Sequence, residues 1–244
     1  MIEIFHDGVR DNYALRSAYE DIYSSRGIAQ RDSFYLWLLA QLDRVKPLGN
    51  SKLLDVACGS GALVNFASKL GAEAVGVDLS LTALKGVKMH KAVANGEHLP
   101  FPSNSFDLVT SIGSLEHYCN PKLGASELAR VLKDDGWACV LLPNAFSLIG
   151  NIKHVMLRGD VFDDGQPIQR YGTLVSWRRL LREGGLIPSK VIKYEIFPPM
   201  TLTDLLWYLR RPSKVLHLMV AGVIPLNLAC CFVFMCQKEQ ACNH

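Results

Sequence analysis

The sequence predicts one α/β domain built on a doubly wound, seven-stranded, mostly parallel sheet with helices on both faces. Three observations predict it. Short apolar runs alternate with amphipathic ones from residue 52 to residue 143. The first run, Leu53-Leu54-Asp55-Val56-Ala57, enters a small-residue turn, Cys58-Gly59-Ser60-Gly61. The next, Ala74-Val75-Gly76-Val77, ends on Asp78. Repeated strand–helix–strand alternation implies a parallel sheet covered on both faces. Ligands of such sheets bind beyond the carboxyl ends of the strands, where the strand order reverses.

Residues 11–43 read as two amphipathic helices about a turn at Arg26-Gly27, closed by Pro47-Leu48-Gly49-Asn50. Lys52–Ala57 reads as a strand and Gly61–Leu70 as a helix stopped by Gly71. Ala74–Asp78 is the second strand, and Ser80 is placed to cap a helix running to about Lys88. Lys91–Asn95, Phe106–Ile112 and Trp137–Leu142 supply three further strands. Pro121–Leu132 is a helix before the last of these, with a turn at Asp134-Asp135-Gly136. Beyond Pro143 the alternation breaks, and residues 144–172 carry little strand signal. Ser176–Glu183 reads as a helix ended by Gly184-Gly185, Ile187–Phe197 contains a strand, residues 201–211 are helical, and Cys230–Lys238 is the last strand. The expected organisation is a helical cap (1–48), a core cofactor-binding half (49–143), a lid or substrate insertion (144–175) and a sheet-completing segment with an apolar helical cap (176–244), all in a single domain.

With 49% hydrophobic residues, the chain of 244 can bury a large core. Its net charge is +3, with lysine and arginine dispersed, so no nucleic-acid surface is expected. The seven cysteines form no Cys-x-x-Cys pair, which favours reduced thiols over disulfides or a zinc site. Met-Ile-Glu-Ile-Phe-His-Asp has no basic start and no apolar signal core, and the expected location is cytoplasmic. Residues 215–235 are mostly apolar, but His217, Pro225 and Asn227 interrupt them. An apolar cap over 201–226 fits better than a membrane span. With Arg210, Arg211 and Lys214 beside it, this cap could make peripheral membrane contact or admit a lipid-like substrate.

The chemistry is concentrated at the strand ends. A glycine turn lets backbone N–H groups approach a ligand closely, because no Cβ intervenes. A carboxylate about 20 residues further on can accept both hydroxyls of a ribose. Together Gly59, Gly61 and Asp78 point to an adenosine-type cofactor. The dinucleotide fingerprint requires a third glycine, and Ala62, Leu63 and Val64 stand there instead.

Asp55-Val56-Ala57-Cys58-Gly59-Ser60-Gly61 resembles the first motif of the class I S-adenosylmethionine-dependent methyltransferases, in particular their type 11 small-molecule branch, with Ala57 in place of the first glycine. Ala94-Asn95-Gly96-Glu97-His98-Leu99-Pro100-Phe101, followed by Ser105-Phe106-Asp107, is similar to a second segment of that branch. So is Ser111-Ile112-Gly113-Ser114-Leu115-Glu116-His117. The resemblance implies a Rossmann-like sheet with an N-terminal helical cap and a C-terminal antiparallel strand. It implies S-adenosylmethionine as cofactor, S-adenosylhomocysteine as product, and no metal. The implied cofactor-binding residues are Asp55, Ala57, Cys58, Gly59, Gly61, Asp78, Leu79, Asn95, Gly96, Glu97, Ser111 and Ile112. Asn95 stands where the family has an acid that accepts from the adenine amine, so charge assistance is lost there. Backbone near Ser111 would pass the methionine part.

His117 would face the acceptor and is the candidate base. The chain lacks the Asn/Asp-Pro-Pro-Tyr/Phe and Pro-Cys signatures of nucleobase and amide methylation. The expected reaction is therefore methyl transfer to an O, N or C nucleophile of a small-molecule or lipid-like acceptor. Tyr13, Arg16, Tyr19, Tyr23, Arg26 and Arg31 of the N-terminal helices could cover the cofactor. His154, Asp163, Asp164, Gln169, Arg170 and Tyr171 of the lid could select substrate. Two other readings stay open: a nicotinamide-dependent oxidoreductase on a related sheet, and a non-catalytic cofactor-binding or membrane-associated protein.

Overall fold

The computed structural model describes residues 1–6, 9, 11–28, 30–85 and 90–239. The elements in chain order are β1 (Ile2–Phe5), α1 (Asn12–Ser25), α2 (Asp32–Asp43), β2 (Lys52–Val56), α3 (Ala62–Lys69), β3 (Glu73–Asp78), α4 (Leu81–Leu84), β4 (His90–Val93) and β5 (Phe106–Ile112). They continue with α5 (Pro121–Val131), β6 (Leu132–Pro143), α6 (Lys153–Arg158), β7 (Ile168–Tyr171), α7 (Leu174–Glu183), β8 (Leu186–Tyr194), α8 (Leu202–Leu209), α9 (Pro212–Ala221) and β9 (Cys231–Lys238).

The main sheet has seven strands in the order β4-β3-β2-β5-β6-β9-β8. Pairings from β4 through β6 are parallel, and β9 runs antiparallel between β6 and β8. The order reverses between β2 and β5, which puts the ligand-binding crevice at the carboxyl ends of β2, β3 and β5. Adjacent residues explain why both faces are covered: Leu53 and Leu54 point to opposite sides of the pleat, and both are fully buried. Leu54 packs with Val109, Val140, Phe234 and Trp177 on one face. Leu53 packs with Leu38, Leu42, Leu63 and Val233 on the other. Trp177 anchors α7 by burying its ring and donating from Nε1 to the Pro143 carbonyl at 2.8 Å.

Several boundaries differ from the sequence reading for local reasons. The lid contains a strand: β7 pairs antiparallel with β1, from Ile2 opposite Tyr171 to Phe5 opposite Ile168. The partners lie far apart in the sequence, so neither four-residue run stands out alone. β6 starts at Leu132 because Asp134-Asp135-Gly136 sit within a register shift, where Phe106 opposes Leu132 and Leu108 opposes Trp137, and not in a free turn. The third core strand is His90–Val93, and Asn95 turns back to bridge His98. Ser80 does cap α4, accepting from the Ala83 N–H at 3.1 Å. The expected continuation of that helix to Lys88 falls partly outside the described residues. α7 begins earlier than expected, capped by Thr173. The apolar run after residue 211 forms α9 and a short turn at Leu226–Leu228. Among the described residues no helix is long and apolar enough to cross a membrane.

Two polar contacts fix the N-terminal helices over the crevice. Glu20 of α1 accepts from Leu81 N (2.6 Å), Thr82 N (3.0 Å) and Ser80 Oγ (3.0 Å), so it caps the start of α4. These bonds overcome the modest cost of burial and hold its carboxyl down at about 2. Arg31, just before α2, pairs with Asp204 of α8 at 3.1 Å, and its guanidinium lies 4.5 Å from the Trp207 ring centre.

Candidate active site

One cavity of about 870 Å³ opens at the carboxyl ends of β2, β3 and β5. That is near the top of the ~300–1,000 Å³ range of small-molecule sites. Of the predicted residues, Asp55, Ala57, Cys58, Gly59, Asp78 and Leu79 border it on one side. Asn95, Gly96, Ile112 and His117 border it elsewhere. Gly61, Glu97 and Ser111 do not reach it. Gly61 begins α3 at φ +75°. Glu97 is turned away, accepting from Asn12 Nδ2 (3.1 Å) and the Asn120 N–H (2.9 Å). Ser111 hydrogen-bonds Ser114 through their hydroxyls at 2.8 Å.

The turn between β2 and α3 has the backbone its residues suggest. Ala57 and Gly59 sit at φ +59° and +53°, and a Cβ on Gly59 would lie 3.0 Å from the Tyr23 hydroxyl. Asp78 organises this turn from β3: Oδ2 accepts from Gly59 N at 2.8 Å, and Oδ1 from Ser80 N at 2.9 Å. Burial raises the Asp78 carboxyl, and these backbone donors partly offset that. Asp55 lies beneath the turn. Its Oδ1 accepts from Thr110 Oγ1 at 2.6 Å, and burial, with the nearby Asp78 charge, pushes it to about 7. It is a buried carboxyl that also borders the cavity. Asn95 Oδ1 accepts from the Glu97 N–H at 2.9 Å, which shapes the turn that carries Gly96. A Cβ on Gly96 would collide with the Tyr118 hydroxyl and with the ring carbon that carries it, so glycine is required there by packing.

At the far end, Glu116 and His117 stand on a short turn after β5, both almost fully buried. His117 Nδ1 lies 2.5 Å from the Ile168 carbonyl of β7. A carbonyl only accepts, so Nδ1 carries the proton and Nε2 keeps a lone pair. Burial lowers the His117 pKa and raises Glu116 to about 8, so imidazole and carboxyl are both largely neutral at pH 7. Nε2 and Glu116 Oε1 are 3.8 Å apart. Glu116 Oε2 and Gln169 Oε1 are buried without a partner among the described residues, and both side chains border the cavity.

The lid residues divide in role. Arg170 is structural: buried, it donates to the Glu116 carbonyl (3.1 Å), the Tyr118 carbonyl (2.6 Å) and Glu3 (2.7 Å). Asp164, Gln169 and Tyr171 border the cavity, as do Tyr19, Tyr23 and Arg31. The sequence reading missed a second polar group bordering the cavity. His217 Nε2 lies 2.7 Å from Glu195 Oε2, and Cys230 N donates to Glu195 Oε1 at 2.8 Å. The three side chains bring possible ligand atoms within 4.8 Å of one another. Burial and Glu195 push the Cys230 thiol to about 12, which disfavours a thiolate ligand. Their spacing along the chain shows no motif.

A family model described as a methyltransferase domain matches residues 54–140. An uncharacterized protein of Methanocaldococcus jannaschii is 30% identical over 172 residues, covering 67% of this chain and 70% of that protein. A second from the same organism is 28% identical over 156 residues, covering 62% of this chain and 61% of that protein. A demethylmenaquinone methyltransferase of Corynebacterium kroppenstedtii is 37% identical over 105 residues, 41% of this chain and 45% of that enzyme. The chain thus spans less than two thirds of the length of most of these relatives. The magnesium protoporphyrin IX methyltransferase of Synechocystis PCC 6803, solved with S-adenosylhomocysteine bound, shares the fold at a TM-score of 0.55 and 14% identity, covering 96% of this chain and 90% of that one. Residues 54–140 belong to a methyltransferase-domain family, and the fold around them is that of class I S-adenosylmethionine-dependent methyltransferases.

Proposed function

We propose that this chain transfers the methyl group of S-adenosylmethionine to an O, N or C nucleophile of a small-molecule or lipid-like acceptor. One observation carries the reading: the Gly59 turn, the Asp78 carboxylate and the His117 imidazole border a single cavity. The residues fit the cofactor. Asp78 spends one lone pair of each oxygen on backbone, leaving acceptor capacity for ribose hydroxyls. Asn95 and Gly96 border the same cavity, which supports a role at an adenine edge. The turn of Ala57–Gly61, with the N-terminal end of α3 behind it, suits a carboxylate. Relatives named as a demethylmenaquinone methyltransferase and a ubiquinone biosynthesis O-methyltransferase support a small-molecule acceptor.

The cofactor supplies a methyl group already activated on a sulfonium. The protein therefore contributes mostly alignment and water exclusion, worth about 7–11 kcal/mol in well-oriented cases. His117 presents an unprotonated Nε2 to accept a proton where the nucleophile arrives protonated. The Ile168 carbonyl fixes its tautomer, and neutral Glu116 leaves the imidazole uncharged.

Parallel calorimetric titrations with S-adenosylmethionine, S-adenosylhomocysteine and NAD test this. The first two are expected to bind, and Asp78→Ala is expected to weaken both by at least tenfold. Binding of NAD alone, or affinity unchanged by the substitution, would overturn the assignment.

A further inference from the structure

The helices of the C-terminal cap are amphipathic in the inverted sense. A surface helix ordinarily buries its apolar stripe and exposes its polar one. α8 buries Asp204 and Tyr208 against the segment carrying Arg31 and Ser33. It exposes Leu202, Leu205, Leu206 and Leu209, which fall at i, i+3, i+4 and i+7 and are 43–73% accessible. α9 and its following turn repeat the pattern: His217 is buried toward Glu195, while Leu216, Met219 and Val223 are 63–82% accessible. The inner face of α8 is held by polar contacts and that of α9 buries His217 with Ala221, while the outer faces are apolar. α6 adds Met156 and Leu157, 80% and 69% accessible. Single exposed apolar residues are ordinary, but contiguous stripes mark an interaction surface.

Charge identifies the partner. From Leu205 to Cys230 the chain has no Asp or Glu, but it has Arg210, Arg211 and Lys214 at the α8–α9 corner, all exposed. From Asn144 to Gly159 there is again no acid, and Lys153 and Arg158 flank the apolar residues of α6. Arg211 stacks 4.7 Å from the centre of the Trp207 ring, placing an aromatic residue at the boundary between apolar and basic surface. An apolar face edged by cations, on helices too short to cross a bilayer, is built to lie in an anionic membrane interface.

We propose that α6 and the α8–α9 pair form a docking face for an anionic bilayer surface. Trp207 of α8, Lys214 of α9, and Asn151 and Phe162, which flank α6 in sequence, all border the cavity, so docking would bring the cavity mouth to the lipid. The docking itself does not depend on the methyltransferase reading.

The test is sedimentation of the full chain with vesicles of phosphatidylcholine containing about one third phosphatidylserine, against phosphatidylcholine alone. Each cation near an anionic surface adds about fivefold to affinity. Preferential binding to the anionic vesicles is expected, weakened by salt. A Leu209→Glu/Met219→Glu variant and an Arg210→Glu/Arg211→Glu variant are each expected to bind at least tenfold more weakly. All four positions are exposed, and thermal melts of the variants should match the parent. Failure to sediment with anionic vesicles, or binding unchanged in both variants, overturns the proposal. So does a dimer in solution that both variants dissociate while no vesicle binding is seen. Vesicle binding is read without cofactor, so a negative result leaves the proposed reaction standing.

Discussion

Glu116→Gln should make the protein more stable at alkaline pH. Glu116 is almost fully buried, its Oε2 has no partner among the described residues, and burial raises its pKa from 4.5 to about 8. Such a carboxyl binds a proton in the folded state that the unfolded chain has already released. Its contribution is therefore fully present below pH 4.5 and is lost as pH rises toward 8. Each unit of that window costs about 1.4 kcal/mol, or about 4 kcal/mol in all by pH 8. This is a large part of the roughly 5–15 kcal/mol stability of a typical domain. Asp55, near 7, contributes over a lower window, and His117, with its pKa lowered, titrates below its ordinary 6.5. The interval from pH 7 to 8 consequently reads Glu116 most cleanly. Urea unfolding there should show the parent losing about 1 kcal/mol and Glu116→Gln staying nearly flat, with the variant ahead at pH 8. Parallel curves through this interval would mean that Glu116 is solvated or paired in solution, and the reasoning would fall.

His117→Ala should leave S-adenosylmethionine affinity within about twofold and slow turnover by about 100-fold or more if proton removal is required; equal turnover would reduce His117 to a brace between β5 and β7. Because the His117 pKa is lowered, its acid limb in a pH–rate profile should lie below the ordinary histidine value. Arg170→Met should destabilise by about 2–3 kcal/mol, since two buried carbonyls, of Glu116 and Tyr118, lose their donor; a denaturation midpoint unchanged from the parent would show that water replaces it.

The β2–turn–α3–β3 unit could be read from the sequence because its determinants are local. Leu53 through Val56 read as a strand, Gly59 and Gly61 adopt positive φ where no Cβ obstructs, and Asp78 falls at the next strand end. The central strands β5, β6 and β9 were legible for the same reason, since a strand buried on both faces is a short apolar run whatever its partners. The polar roles were not. Arg170 looked like a loop residue available to substrate, and only the pairing of β7 with β1 aims it at the carbonyls of Glu116 and Tyr118. Glu97 lies within a family-like segment but turns to Asn12 and Asn120, and Glu195 meets His217 through helix packing. The outward stripe of α8 is in the same category. Sequence shows that Leu202, Leu205, Leu206 and Leu209 share one side of a helix, but which side faces solvent was decided by Arg31 and Ser33 binding Asp204. Backbone preference and hydrophobic period act over a few residues and are written locally, whereas the direction in which a polar side chain points depends on a partner that only the folded chain brings near.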